Sequence, residues 1–170
     1  MILKTERLIL RPQSQSDAPD LFAILRDPQA MRFWNRPPLS HLAVVEGLVR
    51  EQQAAMAQGV CRYWTVILQD AVIGSVDLSL IQDGSAELGF LFRPDHWGMG
   101  LASEAVGAVI AHAGSGLGLT RLAAAVQTEN RAAARLLEKN GFVRAETRSV
   151  LLADGQKKDC AFYLRQTPSA

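Results

Sequence analysis

The chain has 170 residues, of which 48% are hydrophobic and 21% charged, and its formal net charge is +1. This length favours a single domain over residues 1–170, and the near-neutral charge gives no electrostatic footprint for nucleic acid or an acidic membrane surface. No apolar run approaches the roughly 20 residues that span a bilayer, and the N-terminus lacks the apolar core of a signal peptide. We therefore expect a cytoplasmic protein. Cys61 and Cys160 lie too far apart to predict a metal site or a disulfide framework.

The first half of the chain predicts one strand, two helices and three further strands. A strand over Arg7 to Pro12 precedes a helix with Ser16 as its N-cap, and a longer helix runs from the N-cap Ser40 to about Gln58. Three β-rich runs follow, separated by Gln69-Asp70 and by Gln82 to Ser85, which are both typical hairpin connections. We expect these three strands to be antiparallel.

The second half predicts two helices and three strands. A helix over about Gly100 to Ala113 leads into a strand over Arg121 to Gln127. The next helix covers about Arg131 to Lys139, with Asn130 as its N-cap, and a hairpin turning at Ala153-Asp154-Gly155 ends the chain. The order of elements predicts an α+β domain around one mixed, mostly antiparallel sheet of six to seven strands flanked by about four helices.

Two glycine-rich stretches compete as a phosphate-binding loop. The stretch GSGLGL (114–119) holds more glycines, but it follows a helix and precedes a strand, where glycine is expected as a helix C-cap. The stretch WGMGLAS (97–103) follows a strand and opens a helix, whose first turn leaves about four N–H groups free beside the positive end of the helix dipole. The context therefore predicts an anion site at residues 97–103; the alternative is a plain flexible turn.

Two longer stretches carry a resemblance to a known family. AELGFLFRPDHWGMGLASEA and NRAAARLLEKNGF together resemble the GNAT superfamily of acyl-CoA N-acyltransferases, and most of all its branch of ribosomal-protein N-terminal acetyltransferases (RimJ/RimL-like). TERLILRP and FWNRPP are similar to the same branch. The resemblance implies a GNAT-like fold with splayed central strands that hold CoA, acetyl-CoA as cosubstrate, no metal, and a primary amine as acceptor, either a protein N-terminus or a small molecule. Relatives often dimerise, so a homodimer is a further expectation.

The resemblance also indicates which residues hold the cosubstrate. The family's Gln or Arg position before the glycines falls on Trp97, so we expect backbone amides to bind the pyrophosphate. The pantetheine is expected to pair with the strand before the turn, as an added strand would. The expected CoA contacts are Phe90, Leu91, Phe92, Trp97, Gly98, Met99, Gly100, Leu101, Ala102, Ser103 and Asn130.

Catalytic candidates are fewer. Glu87, early on the central strand, is the leading candidate for the general base; the alternatives are that it only attracts the ammonium or is a solvated strand residue. Because Ala133 replaces a serine that serves some relatives as general acid, Tyr163 is a candidate for that role; the alternative is that this strand tyrosine only packs in the core. Trp34, Asp77 and Glu87 are expected at the acceptor, with Trp64 as a further aromatic near it. Glu104 is a rival candidate for the base, but its place one turn into a helix favours a structural role at the helix N-terminus.

Two other functions stay open at this point. A catalytically silent acyl-CoA-binding regulatory module on the same fold would explain Ala133. An unrelated nucleotide-binding module would use the same glycine turn. Direct attack of the amine on the thioester is favoured over an acyl-cysteine, since neither cysteine has an adjacent histidine to activate it.

Overall fold

The fold is seen in a computed structural model that describes residues 1–167. Eight strands form one sheet in the order β1-β2-β3-β4-β5-β6-β8-β7. The strands are β1 (Leu3–Lys4), β2 (Leu8–Pro12), β3 (Arg62–Leu68), β4 (Ala71–Gln82), β5 (Ser85–Phe92), β6 (Arg121–Gln127), β7 (Val143–Leu151) and β8 (Lys157–Gln166), and the helices are α1 (Ala18–Leu25), α2 (Leu42–Ala57), α3 (Leu101–Ser115) and α4 (Arg131–Lys139).

The predicted α+β architecture is confirmed, with one strand more than expected. The additional strand is β1, whose two residues pair with Leu10 and Ile9 of β2. A strand of two residues is too short to show a period-two pattern in the sequence. Only β5 and β6 run parallel, and every other neighbouring pair in the sheet is antiparallel.

The strands divide their side chains between two helical layers. Because successive side chains of a strand point to opposite faces, Leu88 and Phe92 of β5 lie in the core under α3 and α4, whereas Leu91 lies in the core under α1 and α2. Glu87 and Gly89 have the same parity as Leu91. They therefore belong to the face of the sheet that α1 and α2 cover.

The β4–β5 connection is tighter than predicted. The strands extend to Gln82 and Ser85, which leaves only Asp83 and Gly84 in the turn, with φ values of 48° and 70°. Two successive positive φ angles are characteristic of a type I′ turn, which matches the twist of the flanking strands. This turn and the register shift between Ser79 and Gln82 together fix which residues of β4 and β5 face each other.

The first two helices begin one residue later than predicted. Asp17, not Ser16, is the N-cap of α1, and His41, not Ser40, is the N-cap of α2. The carboxylate of Asp17 is buried, accepting hydrogen bonds from Arg11 Nη1 (2.8 Å), Thr65 Oγ1 (2.7 Å) and the backbone N–H of Ser14 (2.8 Å). This network ties the start of α1 to β2 and β3.

No helix within residues 1–167 is both long enough and apolar enough to cross a membrane.

Substituting Asp17 tests how much this network stabilises the fold. Asp17→Ala removes a side chain that is 2% exposed and leaves its donors without their acceptor, so we expect the free energy of unfolding at pH 7 to fall by about 2–4 kcal/mol. Asp20→Ala, which removes an exposed carboxylate from the same helix, should cost under about 1 kcal/mol. Chemical denaturation of both variants measures the difference, and equal losses would contradict the assignment.

The contribution of Asp17 to stability should depend on pH. Burial alone would raise the pKa of Asp17, but the hydrogen bonds from Arg11, Ser14 and Thr65 outweigh it, and the pKa lies below its usual value. A lowered pKa stabilises the fold above the ordinary aspartate pKa of about 4, and this contribution is lost as the pH falls below it. The difference in the free energy of unfolding between wild type and Asp17→Ala should therefore become smaller at acidic pH.

Candidate active site

Strands β5 and β6 separate part-way along the sheet. They pair over only three residues each, from Ser85–Arg121 to Glu87–Ala123. Beyond that point β5 stays paired with β4 and β6 stays paired with β8. A gap therefore opens between residues 88–92 of β5 and residues 124–127 of β6, and we call it the wedge. It is the splay between central strands that the family resemblance implied.

Backbone groups of β5 face the wedge. The N–H of Arg93 donates to the carbonyl of Ile73 at 2.9 Å, so Arg93 and, by alternation, Leu91 direct their peptide groups toward β4. Phe90 and Phe92 then direct theirs into the wedge. The carbonyl of Phe92 there accepts a hydrogen bond from Trp97 Nε1 at 3.0 Å. At Phe90, β6 supplies no ladder partner, so an extended amide chain placed in the wedge would pair with it.

The glycine turn lies at the end of β5. Gly98 and Gly100 have φ values of 74° and 77°, a left-handed region that favours glycine, and Gly100 is the N-cap of α3. No atom lies within 4 Å of the place where a Cβ of Gly98 would be. Within residues 1–167, the backbone N–H groups of residues 98–103 have no hydrogen-bond acceptor. The turn therefore presents free donors at the positive end of a 15-residue helix, which suits a phosphate.

The side chains of the turn contribute less than its backbone. Leu101 is buried in the core and Ala102 packs against that core, so only their N–H groups are available to a ligand. Met99 and Trp97 are exposed. The Oγ of Ser103 accepts a hydrogen bond from Asn140 Nδ2 at 3.1 Å, which leaves the hydroxyl proton free to donate.

The N-terminal segment holds this turn in place. The guanidinium of Arg7 donates to the carbonyl of Met99 at 3.0 Å and pairs with Glu104, one turn into α3, at 2.7 Å. The same carboxylate accepts from Thr5 Oγ1 and from the backbone N–H of Arg7. Burial works against ionisation of Glu104, but these hydrogen bonds outweigh it and lower its pKa. Glu104 therefore has the structural role that was expected, with a partner that the sequence did not reveal.

Two carboxylates lie on the α1–α2 face near the closed end of the wedge. Asp77 on β4 pairs in register with Tyr63 on β3 and Gly89 on β5, and Glu87 precedes Gly89 by two residues. Glu87 is exposed, whereas Asp77 is partly buried between its neighbours. Burial, and then the nearby charge of Glu87, raises the pKa of Asp77 to about 7. Burial and the charge of Asp77 raise the pKa of Tyr63 to about 12.

Comparison with models of known protein families identifies the family of this chain. The model of the acetyltransferase (GNAT) domain matches residues 7–143. The chain belongs to the GNAT family of acetyltransferases. A curated relative, the uncharacterized N-acetyltransferase YoaA of Bacillus subtilis (strain 168), is 29% identical over 167 residues, which is 95% of this chain and 94% of the relative.

Solved structures share the GNAT fold at low sequence identity. RimL, a ribosomal L7/L12 alpha-N-protein acetyltransferase in complex with coenzyme A, superposes with a TM-score of 0.92 at 17% identity, over 100% of both chains. A spermidine N-acetyltransferase from Vibrio cholerae, in complex with CoA and spermine, has a TM-score of 0.85 at 23% identity, over 96% of this chain and 97% of that one. Both likenesses show the fold alone.

The GNAT fold brings most of the predicted CoA residues to the wedge and its rim. Leu91 and Phe92 are buried and Phe90 is partly buried. Phe90 and Phe92 direct peptide groups into the wedge, whereas the peptide groups of Leu91 face β4, so the expected backbone contact of Leu91 with CoA does not fit this geometry. Asn130 caps α4, its Oδ1 accepting from the N–H of Ala133 at 3.2 Å. The Nδ2 group of Asn130 donates to nothing else in residues 1–167, which leaves it free for a second partner.

The predicted acceptor loop is anchored to the core and to β6. Trp34 packs against the apolar cluster under α1 and α2, and Gln127 Nε2, at the end of β6, donates to the carbonyl of Phe33 at 3.1 Å. Trp64 is different. It is buried on the α3 face, with Nε1 donating to the carbonyl of Met1 and its ring edge-on to His112. The prediction that Trp64 lies at the acceptor is wrong, because its parity on β3 is opposite to that of Tyr63.

The side chain of Tyr163 lies in the core and contacts Glu138. It is 2% exposed, belongs to the core under α3 and α4, and its hydroxyl donates to Glu138 Oε1 at 3.3 Å. Burial and the adjacent Glu138 raise its pKa. These contacts give Tyr163 a packing role, and its role as an acid stays a prediction. No group of three or more His, Cys, Asp or Glu that would hold a metal ion occurs in the described part of the chain.

Replacing Asp77 should stabilise the protein in a pH-dependent way. A carboxyl whose pKa is raised on folding costs stability above that pKa and costs none below its unfolded value. We expect Asp77→Asn to raise the free energy of unfolding by about 1–3 kcal/mol at pH 8. The gain should decline through the interval between pH 7 and about 4. Asp70→Asn, at an exposed turn position, is the matched control in denaturation at both pH values, and a gain that does not depend on pH would contradict the raised pKa.

Proposed function

We propose that this GNAT acetyltransferase moves the acetyl group of acetyl-CoA to a primary amine by direct attack of the amine on the thioester. One observation carries the proposal: the unpaired edge of β5 leads directly to a turn whose N–H groups are free. An amide-containing chain fits the first and a phosphate fits the second, and pantetheine and pyrophosphate are joined in that order in CoA. The RimL and spermidine acetyltransferase structures both contain CoA.

The cosubstrate contacts follow the predicted residues. Phe90 and Phe92 supply strand backbone on either side of Leu91, residues 97–103 supply the turn, and Asn130 supplies a side-chain amide. A peptide N–H in the wedge polarises the thioester carbonyl as negative charge develops on its oxygen. The reaction needs no metal.

The acceptor is proposed to be a cationic amine. Asp77 and Glu87 place two carboxyl groups on one face of the sheet, and Trp34 adds an aromatic wall in the adjoining loop. Two known acceptor classes fit such a site, a protein N-terminus as in RimL and a polyamine as in the spermidine enzyme. We assign the chain to the RimJ/RimL-like branch, acting as a single domain in the cytoplasm, with a homodimer as its expected assembly.

A catalytically silent module is not favoured. The curated relative carries an N-acetyltransferase name, and the carboxyl groups of Asp77 and Glu87 suit the binding of an amine acceptor. An acyl-cysteine route is also disfavoured, because Cys61 and Cys160 are buried and burial raises the pKa of both thiols.

Ligand-induced stabilisation tests the donor. Acetyl-CoA at about one hundred times its Kd should stabilise the folded protein by about 2.7 kcal/mol and so raise Tm, whereas ATP and NAD should leave Tm unchanged because neither carries an amide chain for the wedge. Differential scanning fluorimetry measures all three. Equal stabilisation by the three ligands would contradict the proposal and favour a general nucleotide site.

Substituting Arg7 tests the support of the glycine turn. Arg7→Ala frees the carbonyl of Met99 and the carboxylate of Glu104, so the donors of the turn lose their fixed direction, and we expect Kd for acetyl-CoA to rise about tenfold. The ion pair is half-exposed and contributes about 0–1 kcal/mol to folding. Arg50→Ala, which removes an exposed arginine from α2, is the matched control in calorimetric titration. An unchanged Kd for Arg7→Ala would show that the turn needs no such support.

A further inference from the structure

Gly89 makes room for the carboxyl group of Asp77. A Cβ added to Gly89 would lie 2.5 Å from Asp77 Oδ1 and 3.0 Å from its Cγ, so no other residue fits there without displacing that side chain. The φ angle of Gly89 is not positive, so no turn requires a glycine. Glycine inside a strand weakens it and commonly marks a close approach by another group. Here the approaching group is the Asp77 carboxyl, which lies across β5.

This position brings Asp77 close to the wedge. Glu87 is the last residue of β5 that pairs with β6, and Gly89 is two residues further on, where the strands have parted. A carboxyl that lies over Gly89 has crossed from β4 to the strand that borders the wedge. It is therefore close to the place where a thioester held between β5 and β6 would meet an amine arriving from the α1–α2 face.

Asp77 also lacks a partner of its own. Within residues 1–167 its carboxyl accepts no hydrogen bond and forms no ion pair. The ionisable groups that face it are Tyr63 and Cys61 on β3 and Glu87 on β5, with Arg36 from the loop after α1 acting on Tyr63. A partly buried carboxyl that accepts no hydrogen bond from the protein keeps its oxygens available to a ligand. An ammonium or amine N–H would supply the missing donor.

We propose that Asp77, lying across β5 over Gly89, is the catalytic residue that accepts the proton of the attacking amine. The proposal rests on the proposed function and deepens it. Glu87 is exposed and better solvated, so its charge serves to attract the ammonium and to keep Asp77 a good proton acceptor. The earlier prediction that Glu87 itself is the base stays a prediction, and it is the competing outcome of the experiment below.

The step balances without another reactant. Asp77 first takes a proton from the ammonium form of the acceptor and passes it to solvent, which leaves a neutral amine. The amine nitrogen then forms a bond to the acetyl carbon, and Asp77 takes the proton that this nitrogen releases. The C–S bond breaks with its electron pair on sulfur, and that proton ends on the CoA thiolate through Asp77 and solvent. The products are one amide and one free thiol.

The test compares pH profiles of three variants on the amine that wild type turns over best. Wild-type kcat/KM should rise with pH, because the base must be ionised, and the rising limb of the profile should have an apparent pKa near 7. Asp77→Asn should lose the limb and lower kcat about 10²- to 10⁴-fold, with the acetyl-CoA Tm shift unchanged. Glu87→Gln should keep the limb but move it to lower pH, since a charge that raises the pKa of Asp77 is gone. Asp70→Asn should match wild type.

Gly89→Ala is a complementary variant. Its methyl group displaces the Asp77 carboxyl while both carboxyls stay in the chain, so kcat should fall at least tenfold with the acetyl-CoA Tm shift retained. Should this variant fail to fold, Asp77→Asn decides alone. Loss of the limb in Glu87→Gln, with only a shifted limb in Asp77→Asn, would overturn the proposal and return the role of base to Glu87.

A measurement that does not depend on enzymatic turnover tests the role of Asp77 independently of the proposed function. Carbon-13 NMR of Asp-labelled protein, assigned by difference from Asp77→Asn, should show the Asp77 carboxyl titrating near 7. A midpoint below about 5 would overturn the proposal whether or not an acceptor is known. A wild type that acetylates amines while Asp77→Asn keeps half its rate contradicts Asp77 alone; a wild type that neither binds acetyl-CoA nor acetylates any amine contradicts the proposed function, and the role of Asp77 with it.

Discussion

The early end of the β5–β6 ladder is the constraint on which the rest of the site depends. A sheet normally pairs both edges of every inner strand, because an unpaired peptide group away from water is costly. Here pairing stops at Glu87 and Ala123, and each strand stays bound to its outer neighbour. The sheet is thereby held open, with peptide groups facing a gap that an amide chain can fill.

Both strands that border the wedge are fixed at its open end, where β5 and β6 each finish. At the end of β6, Gln127 is tied to the carbonyl of Phe33 in the loop after α1. At the end of β5, Trp97 Nε1 donates a hydrogen bond to the carbonyl of Phe92. The ion pair between Arg7 and Glu104 fixes the glycine turn to the N-terminal segment. Exposed ion pairs contribute little to folding. The Arg7 guanidinium, however, donates both to Glu104 and to the carbonyl of Met99, and these two contacts together fix the direction of the backbone donors in the turn.

What the sequence could predict was the part of the site that is contiguous in it. The glycine turn and the N-cap Asn130 each lie within one short stretch, and strand-to-helix context was enough to prefer residues 97–103 over residues 114–119. Register and parity could not be read in the same way. Tyr63 and Trp64 are adjacent on β3 and face opposite sides of the sheet, so an error of one residue in the strand register would exchange them. The pairing of Asp77 with Gly89 depends on the bulge between β4 and β5.

The same limit applies to the two carboxylates on neighbouring strands, because the family pattern points to Glu87 but carries no information about the environment of either side chain. Glu87 and Asp77 have equal parity, and nothing in the sequence says that one is solvated and the other covered. Coverage comes from β3, since Tyr63 flanks Asp77 on the side away from β5. A site that must both attract an ammonium and then remove its proton needs carboxyls of unequal basicity. An exposed acid beside a covered one, with a glycine between the covered acid and the wedge, satisfies that need with three residues on two strands.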